Sequence, residues 1–171
     1  MTALPFSRPL RLYDVPAAGL VVPIVADPAE RAAIAAELDL VALDRLEATL
    51  TVKPTRRGVR VEGEMSADVV QSCVVTLEPV PATVSEAIDI AFARPEGKPP
   101  AEIDLSAEEH DPPDPLEGDA IDLGAIVQEH LALGLEPYPR LPGVEYGTAS
   151  EAATEPPRRS PFADLERLKK R

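Results

Sequence analysis

The side chains able to do chemistry in this chain are few and scattered. The single cysteine, Cys73, stands in the stretch VVQSCVVTLEPV with Thr76 three places on, and the two histidines, His110 and His130, lie far from it in sequence. A structural zinc site takes four thiolate or imidazole ligands, and a catalytic one takes three plus an open position. One cysteine and two histidines therefore exclude a soft-ligand zinc site within one subunit. Thr76 cannot stand in for a thiolate, because its hydroxyl stays protonated. A nucleophilic thiol needs an activating neighbour, and neither histidine carries a motif. Cys73 thus reads as a structural thiol, a small buried hydrophobe. His130, between Val127 and Leu131 on an apolar helical face, reads as a packing residue and only secondarily as a general base. The carboxylates of EEHDPPDPLEGD share the composition of a cation loop but miss the D-x-[DN]-x-[DN]-G spacing. No GxGxxG, Walker, GxSxG or HExxH pattern is present. No metal or cofactor is expected.

Composition narrows the classes further. Hydrophobic residues make up 44% of the 171, yet aromatics only 4% and Trp none. A core of Val, Leu, Ile and Ala is expected. Twenty prolines, where an average chain has about 5%, cluster after Arg94 and point to linkers instead of a second domain. The formal net charge is −13. A field of that sign repels phosphate backbones and attracts cationic partners. A lone cysteine forms no internal disulfide, which suits a reducing cytosol. No apolar run approaches the roughly 18 residues of a membrane span, and the opening MTALPFSRPLRLYDV has no apolar core of a signal peptide. A cytoplasmic protein without membrane contact is the expectation.

The elements that must position these groups follow from periodicity. Pro9 keeps Phe6 to Asp14 extended, and GLVVPIVA (19–26) is a second β-prone run. DPAERAAIAAEL spells a helix start: Asp27 as N-cap, Pro28 at the first helical position, Glu30 completing a capping box. Ala33, Ile34 and Leu38 form its apolar stripe. From Arg45 the period becomes two, with Leu46, Ala48, Leu50 and Val52 on one face. KPTRRG reads as a turn, opened by Pro54 and with Gly58 able to take positive φ. Val59 to Met65 is read as the next strand, Ala67 to Leu77 as a third, EPVP as a turn, and Ala82 to Arg94 as a fourth. Short connections favour an antiparallel meander, expected to curl around the first helix or partly close on itself. Pro95 to Asp122 holds ten acidic residues and one lysine, and reads as an acidic loop without regular structure. Leu123, Ile126, Val127, His130 and Leu131 then share a helical face, with Asp122 as N-cap and Gly134 and Pro137 ending the helix.

The fold class is therefore α+β, an antiparallel meander with a few packed helices. One domain is expected over 1–136, including the acidic loop 95–121. A flexible Pro-rich tail over 137–171 is expected to end in a short basic helix. Two segments are left with nothing obvious to bury. One is YPRLPG after the second helix, with Tyr138 and Arg140. The other is PRRSPFADLERLKKR, carrying Phe162, Leu165, Leu168, Lys169 and Lys170. From Pro156 to Arg171 it has six basic and two acidic residues, and it reads either as a helix docked on the acidic body or as an arm for RNA or an acidic partner.

Three of these features together resemble the YceD family, also called the DUF177 domain, of bacterial and plastid proteins linked to accumulation of large-subunit ribosomal RNA. VVQSCVVTLEPV resembles the family's C-x-x-C-L-x-P segment. An acidic loop leading into DAIDLGAIVQEHLALGLEPYPR resembles its I-D-L-x-x-x-V-x-E-x-x-x-L-x-L-P-x-x-P, and PFADLERLKKR its N-P-F-x-x-L-x-x-L-K. The likeness spans roughly Arg45 to Arg171. Where family members often carry a cysteine pair, this chain has Thr76 at the second position, so any metal or redox role of a pair does not transfer. The resemblance implies a non-enzymatic accessory role in making or stabilising the 23S ribosomal RNA or the large subunit.

With the charge, this leads to an expected partner: a basic ribosomal or assembly protein, with ribosomal RNA touched by the C-terminal basic segment. Asp122, Glu129, Tyr138 and Arg140, and the five C-terminal residues just named, are the expected contacts. Two other readings stay open: a Mg-dependent hydrolase or transferase using the acidic loop, and a structural subunit of an unrelated complex. Sequence alone leaves the oligomeric state open.

Overall fold

A computed structural model of the chain describes residues 6–94 and 113–144. The chain divides into two units, Met1–Leu141 and Pro142–Arg171. All described helices and strands belong to the first; of the second, residues 142–144 are described, around Gly143 at φ +80.

The centre of the first unit is a five-stranded sheet in the order β2-β3-β4-β5-β6. Its strands are β2 (Leu20–Val25), β3 (Ala42–Pro54), β4 (Gly58–Ser72), β5 (Pro79–Ala93) and β6 (Asp114–Pro115). β2 to β5 form the expected antiparallel meander, and β6 adds to β5 in parallel. The sheet does not close: β2 lies at one margin and β5, with the short β6, at the other.

The alternation that marks β3 and β4 fixes which face is buried. Leu46, Ala48, Leu50 and Val52 of β3 and Val59, Val61, Met65, Ala67 and Val69 of β4 are all buried. Their neighbours between carry the charges. Arg45 meets Asp68 at 2.7 Å, and Arg60 meets Asp89 at 2.6 Å. The strand expected to start at Arg45 begins at Ala42. A register shift between Leu43 and Arg45 puts Leu43 and Leu46 both in the core, three places apart, and the break in phase hides the start.

β4 is a single strand of 15 residues, where two strands broken near Ser66 are expected from the sequence. The buried positions never change parity across that point, so nothing forces a turn. Gly58 opens β4 without a positive φ. It is glycine for space, since a Cβ there would lie 2.1 Å from the carbonyl oxygen of Phe92. The turn before β5 is Cys73–Glu78, not EPVP, and Pro79 and Pro81 already pair with Ser72 and Val70.

The helices pack on the buried face. α1 (Pro28–Glu37) starts as expected: the Asp27 carboxylate accepts from the amides of Ala29 and Glu30, and Glu30 accepts from the Asp27 amide, a complete capping box. Its core contacts are Ile34 and Ala35, while Ala33 faces solvent. A helix this short touches the sheet along one line, and that line runs one residue further round than the stripe expected through Ala33. α2 (Leu123–Gly134) buries Leu123, Ile126, Val127 and Leu131.

Part of the acidic stretch does form regular structure, contrary to the expectation. Asp114 and Pro115 pair with Phe92 and Ala93, and β7 (Ala120–Asp122) pairs antiparallel with β1 (Pro9–Arg11). Backbone pairing asks little of the side chains, and Leu116 and Ile121 anchor it in the core. The N-terminal segment is strapped down in the same place. Phe6 is fully buried, and the Arg8 guanidinium makes a two-pronged pair with Glu30 at 2.7 and 2.9 Å.

Candidate functional site: a thiol turn clasped by the segment after α2

Where β4 ends, its ladder with β5 continues for one more bond, the Cys73 amide donating to the Glu78 carbonyl at 2.8 Å. The chain reverses between them, with Leu77 donating back to the Cys73 carbonyl at 2.9 Å. Leu77 has φ +62, the left-handed region that costs a residue with a Cβ about 1–2 kcal/mol. It is nevertheless 78% exposed, so packing among the described residues does little to repay the strain.

The Cys73 side chain is fully buried and is met by donors. Hydrogen bonding from the Thr76 hydroxyl and from the amides of Thr76, Leu141 and Val75 outweighs the cost of burial and lowers the thiol to about 7. Donors aimed at an acceptor favour its charged form. Thr76, three places on from Cys73, is the largest of these influences.

One of those amides belongs to Leu141. The segment that follows α2 returns to this turn and clasps it: Val74 donates to the Pro139 carbonyl at 2.9 Å, and the Gln71 side-chain amide donates to the Glu136 carbonyl at 2.9 Å. Pro139 is buried, while Tyr138 is 69% exposed and Arg140 is also exposed. The stretch from Glu136 to Leu141 therefore meets the thiol turn with its backbone, while Tyr138 and Arg140 on it, and Val74 and Leu77 on the turn, are exposed.

Among the residues expected to contact a partner, the structure brings Tyr138 and Arg140 to this site. It does not bring Asp122 or Glu129. Asp122 caps the far end of α2, accepting from Gly124 and Ala125 at 3.0 and 3.2 Å and from the Arg8 amide and Ser7 hydroxyl at 2.7 and 2.6 Å. Burial pushes its carboxyl up, but these hydrogen bonds prevail and hold it below the usual range. Glu129 is exposed partway along α2, and His130 is half-buried, its Nδ1 donating to the Ile126 carbonyl at 2.9 Å. Phe162, Leu165, Leu168, Lys169 and Lys170 lie outside the described residues. Val74, Leu77 and Leu141 are missing from the sequence-based set. Only the unexplained YPRLPG hinted at them.

A shallow concavity of about 520 Å³ lies over the middle of the sheet, lined in part by Glu47, Glu64 and Glu86. Among the described residues no three His, Cys, Asp or Glu side chains are grouped to hold a metal ion, and no helix is long and apolar enough to cross a membrane.

These features define an α+β protein whose distinctive site is a hydrogen-bonded thiol turn rimmed by exposed apolar and aromatic side chains. The chain belongs to the YceD family: a family model described as "Large ribosomal RNA subunit accumulation protein YceD" matches residues 61–169, spanning both clasped segments. Membership implies a role in accumulation of large-subunit ribosomal RNA. No curated protein and no solved structure matches the chain.

Proposed function

We propose that the protein supports large-subunit ribosomal RNA accumulation without catalysis, as a cytoplasmic accessory factor that holds a basic ribosomal or assembly protein. The observation that carries this reading is the exposure of Leu77 in a strained conformation, on the turn that the segment bearing exposed Tyr138 clasps. Apolar and aromatic side chains with nothing to bury are what a partner's surface covers. The net charge of −13 selects a cationic partner and speeds its approach, over a Debye length of about 8 Å at physiological salt. The C-terminal basic segment, with Lys169 and Lys170, is a second contact in this proposal and the part suited to RNA.

The test is complementation. Cells lacking the protein should show less 23S relative to 16S ribosomal RNA, restored by the wild-type chain and poorly restored by the Leu77→Ser, Tyr138→Ala double variant. Pull-downs with the wild-type chain should recover ribosomal or assembly proteins, and truncation at Pro156 should reduce that recovery. Unchanged ribosomal RNA in the deletion strain would end the proposal.

A further inference from the structure

We infer that the outer edge of β5 is a docking strand for an extended, cationic segment of the partner, which pairs with it backbone to backbone. This rests on the reading that the acidic body holds a cationic protein and names where it does so.

Hydrogen bonds at both ends of β5 settle which of its backbone groups are free. At one end Arg94 donates to the Arg57 carbonyl at 3.0 Å, and at the other Cys73 donates to that of Glu78 at 2.8 Å. In an antiparallel ladder bonded pairs alternate with unbonded ones. Between these anchors the even-numbered residues of β5 therefore bond to β4, and the odd-numbered ones turn their amides and carbonyls outward. The Ala93 carbonyl confirms the phase by accepting from Leu116 at 2.8 Å, on the β6 side. Among the described residues β6 pairs only with Phe92 and Ala93, and no backbone bond reaches the outward groups of Thr83, Ser85 and Ala87.

The opposite margin is treated differently. On β2 the Ala26 amide bonds to the Leu46 carbonyl, so by the same alternation Val21, Pro23 and Val25 turn outward. Pro23 has no amide to offer there, a common way of blocking an edge. β5 has prolines only at its start, Pro79 and Pro81, and no lysine or arginine along its length. An edge without such protection suits strand addition.

Charge chooses the occupant. β5 carries Glu86 and Asp89, and Glu64 on β4 stands opposite Ala87. Among the described residues Glu64 and Glu86 have no ion pair, and Asp89 has Arg60. Glu86 lies on the sheet face of Val84 and Ile88, and Glu64 and Asp89 on the other, so lysine or arginine side chains on either face of an added strand would meet a carboxylate. A second copy of this chain would instead bring its own Glu86 and Asp89 to the same seam. β5 also begins directly after the thiol turn, so a partner covering Leu77 continues onto it.

The experiment uses the full chain and two synthetic decapeptides, alternating Lys-Val and alternating Glu-Val, with residue-resolved amide exchange by NMR and binding by fluorescence anisotropy. In the free protein the amides of Thr83, Ser85 and Ala87 should exchange at least tenfold faster than those of Val84, Glu86 and Ile88. The Lys-Val peptide should bind and slow the odd-numbered amides; the Glu-Val peptide should not bind. Ala87→Pro copies on β5 what Pro23 does on β2, and should weaken Lys-Val binding at least tenfold while leaving the even-numbered amides protected. Should that variant fail to fold, Glu86→Lys, which leaves the ladder intact, must weaken binding by several-fold. Equal binding to wild type and both variants would leave a charge-driven partner without this edge. No binding of the cationic peptide would overturn the docking strand, while the ribosomal RNA ratio of the deletion strain decides the proposed function separately. Odd-numbered amides already protected in a monomer would show the edge filled by the chain itself, and protection that grows with protein concentration would assign it to a second copy; either result overturns the inference.

Discussion

Val74 donates its amide to the carbonyl of Pro139 at 2.9 Å, and this bond joins two distant segments of the family match into one surface. The turn after β4 and the segment after α2 have no common element, and each is incomplete alone. The turn provides a thiol and the segment provides one of the amides that meet it.

Cys73 should titrate near pH 7, because Thr76 and three backbone amides favour its thiolate. Thiolate absorbance near 240 nm, followed against pH in the folded chain, should show that midpoint, and Thr76→Val should raise it. The folded value lies below the unfolded value of about 8.5. The stabilisation is therefore complete above the unfolded value and is lost as pH falls through about 7, so wild type should gain stability over Cys73→Ser between those limits.

Leu77→Asn is expected to leave stability unchanged or raise it by up to about 1 kcal/mol, because Asn tolerates the left-handed region better than Leu. Little packing is lost from a side chain that is 78% exposed. The same substitution should impair complementation. Urea unfolding beside the ribosomal RNA ratio separates the two effects, and a clear loss of stability would show that Leu77 serves the fold.

Asp122→Ala should destabilise the chain by about 2 kcal/mol, from the lost helix cap and the unpaired amide of Arg8. Asp122→Asn should cost less, since Asn also caps. The Asp122 carboxyl is lowered on folding, so its contribution is complete above the unfolded carboxylate value of about 3.9 and disappears as pH falls through the folded one. Urea midpoints of wild type and Asp122→Asn should therefore converge at the acid end of the range.

Gly63→Ala should cost about 3 kcal/mol or more, in the class of severe overpacking. A Cβ at Gly63 would lie 2.1 Å from the Thr49 carbonyl oxygen and 2.9 Å from the Leu50 Cα. Both are backbone atoms of β3, so the pair of strands must part. A lowered denaturation midpoint with unchanged slope is the expected record. An unchanged midpoint would mean that β3 and β4 separate at little cost.

Local chemistry was the most legible part of the sequence. Asp27, Pro28 and Glu30 announce the start of α1 within four residues, and Asp122 that of α2, because a cap is satisfied by its own neighbours. The alternation through Leu46 to Val52 announced β3 for the same reason. What depended on distant contacts stayed hidden. Nothing near Asp114 or Ala120 says that β5 and β1 wait beside them, and acidic, proline-rich composition argues the other way. Ala33 looked like core until the line of contact was known to pass through Ala35. The site shows the same division. Tyr138 and Arg140 drew notice as side chains with nothing to bury, whereas Leu77 acquires meaning only from a backbone angle and a covering segment that sequence does not display.

The proline at position 23 also governs how far any assembly can grow. A molecule with one receptive flank and one barred flank accepts a single addition, and a like molecule joined there has no second receptive side to offer a third. Growth ends at the first step, which leaves an acidic, strand-rich protein protected from fibre formation while its receptive side stays available.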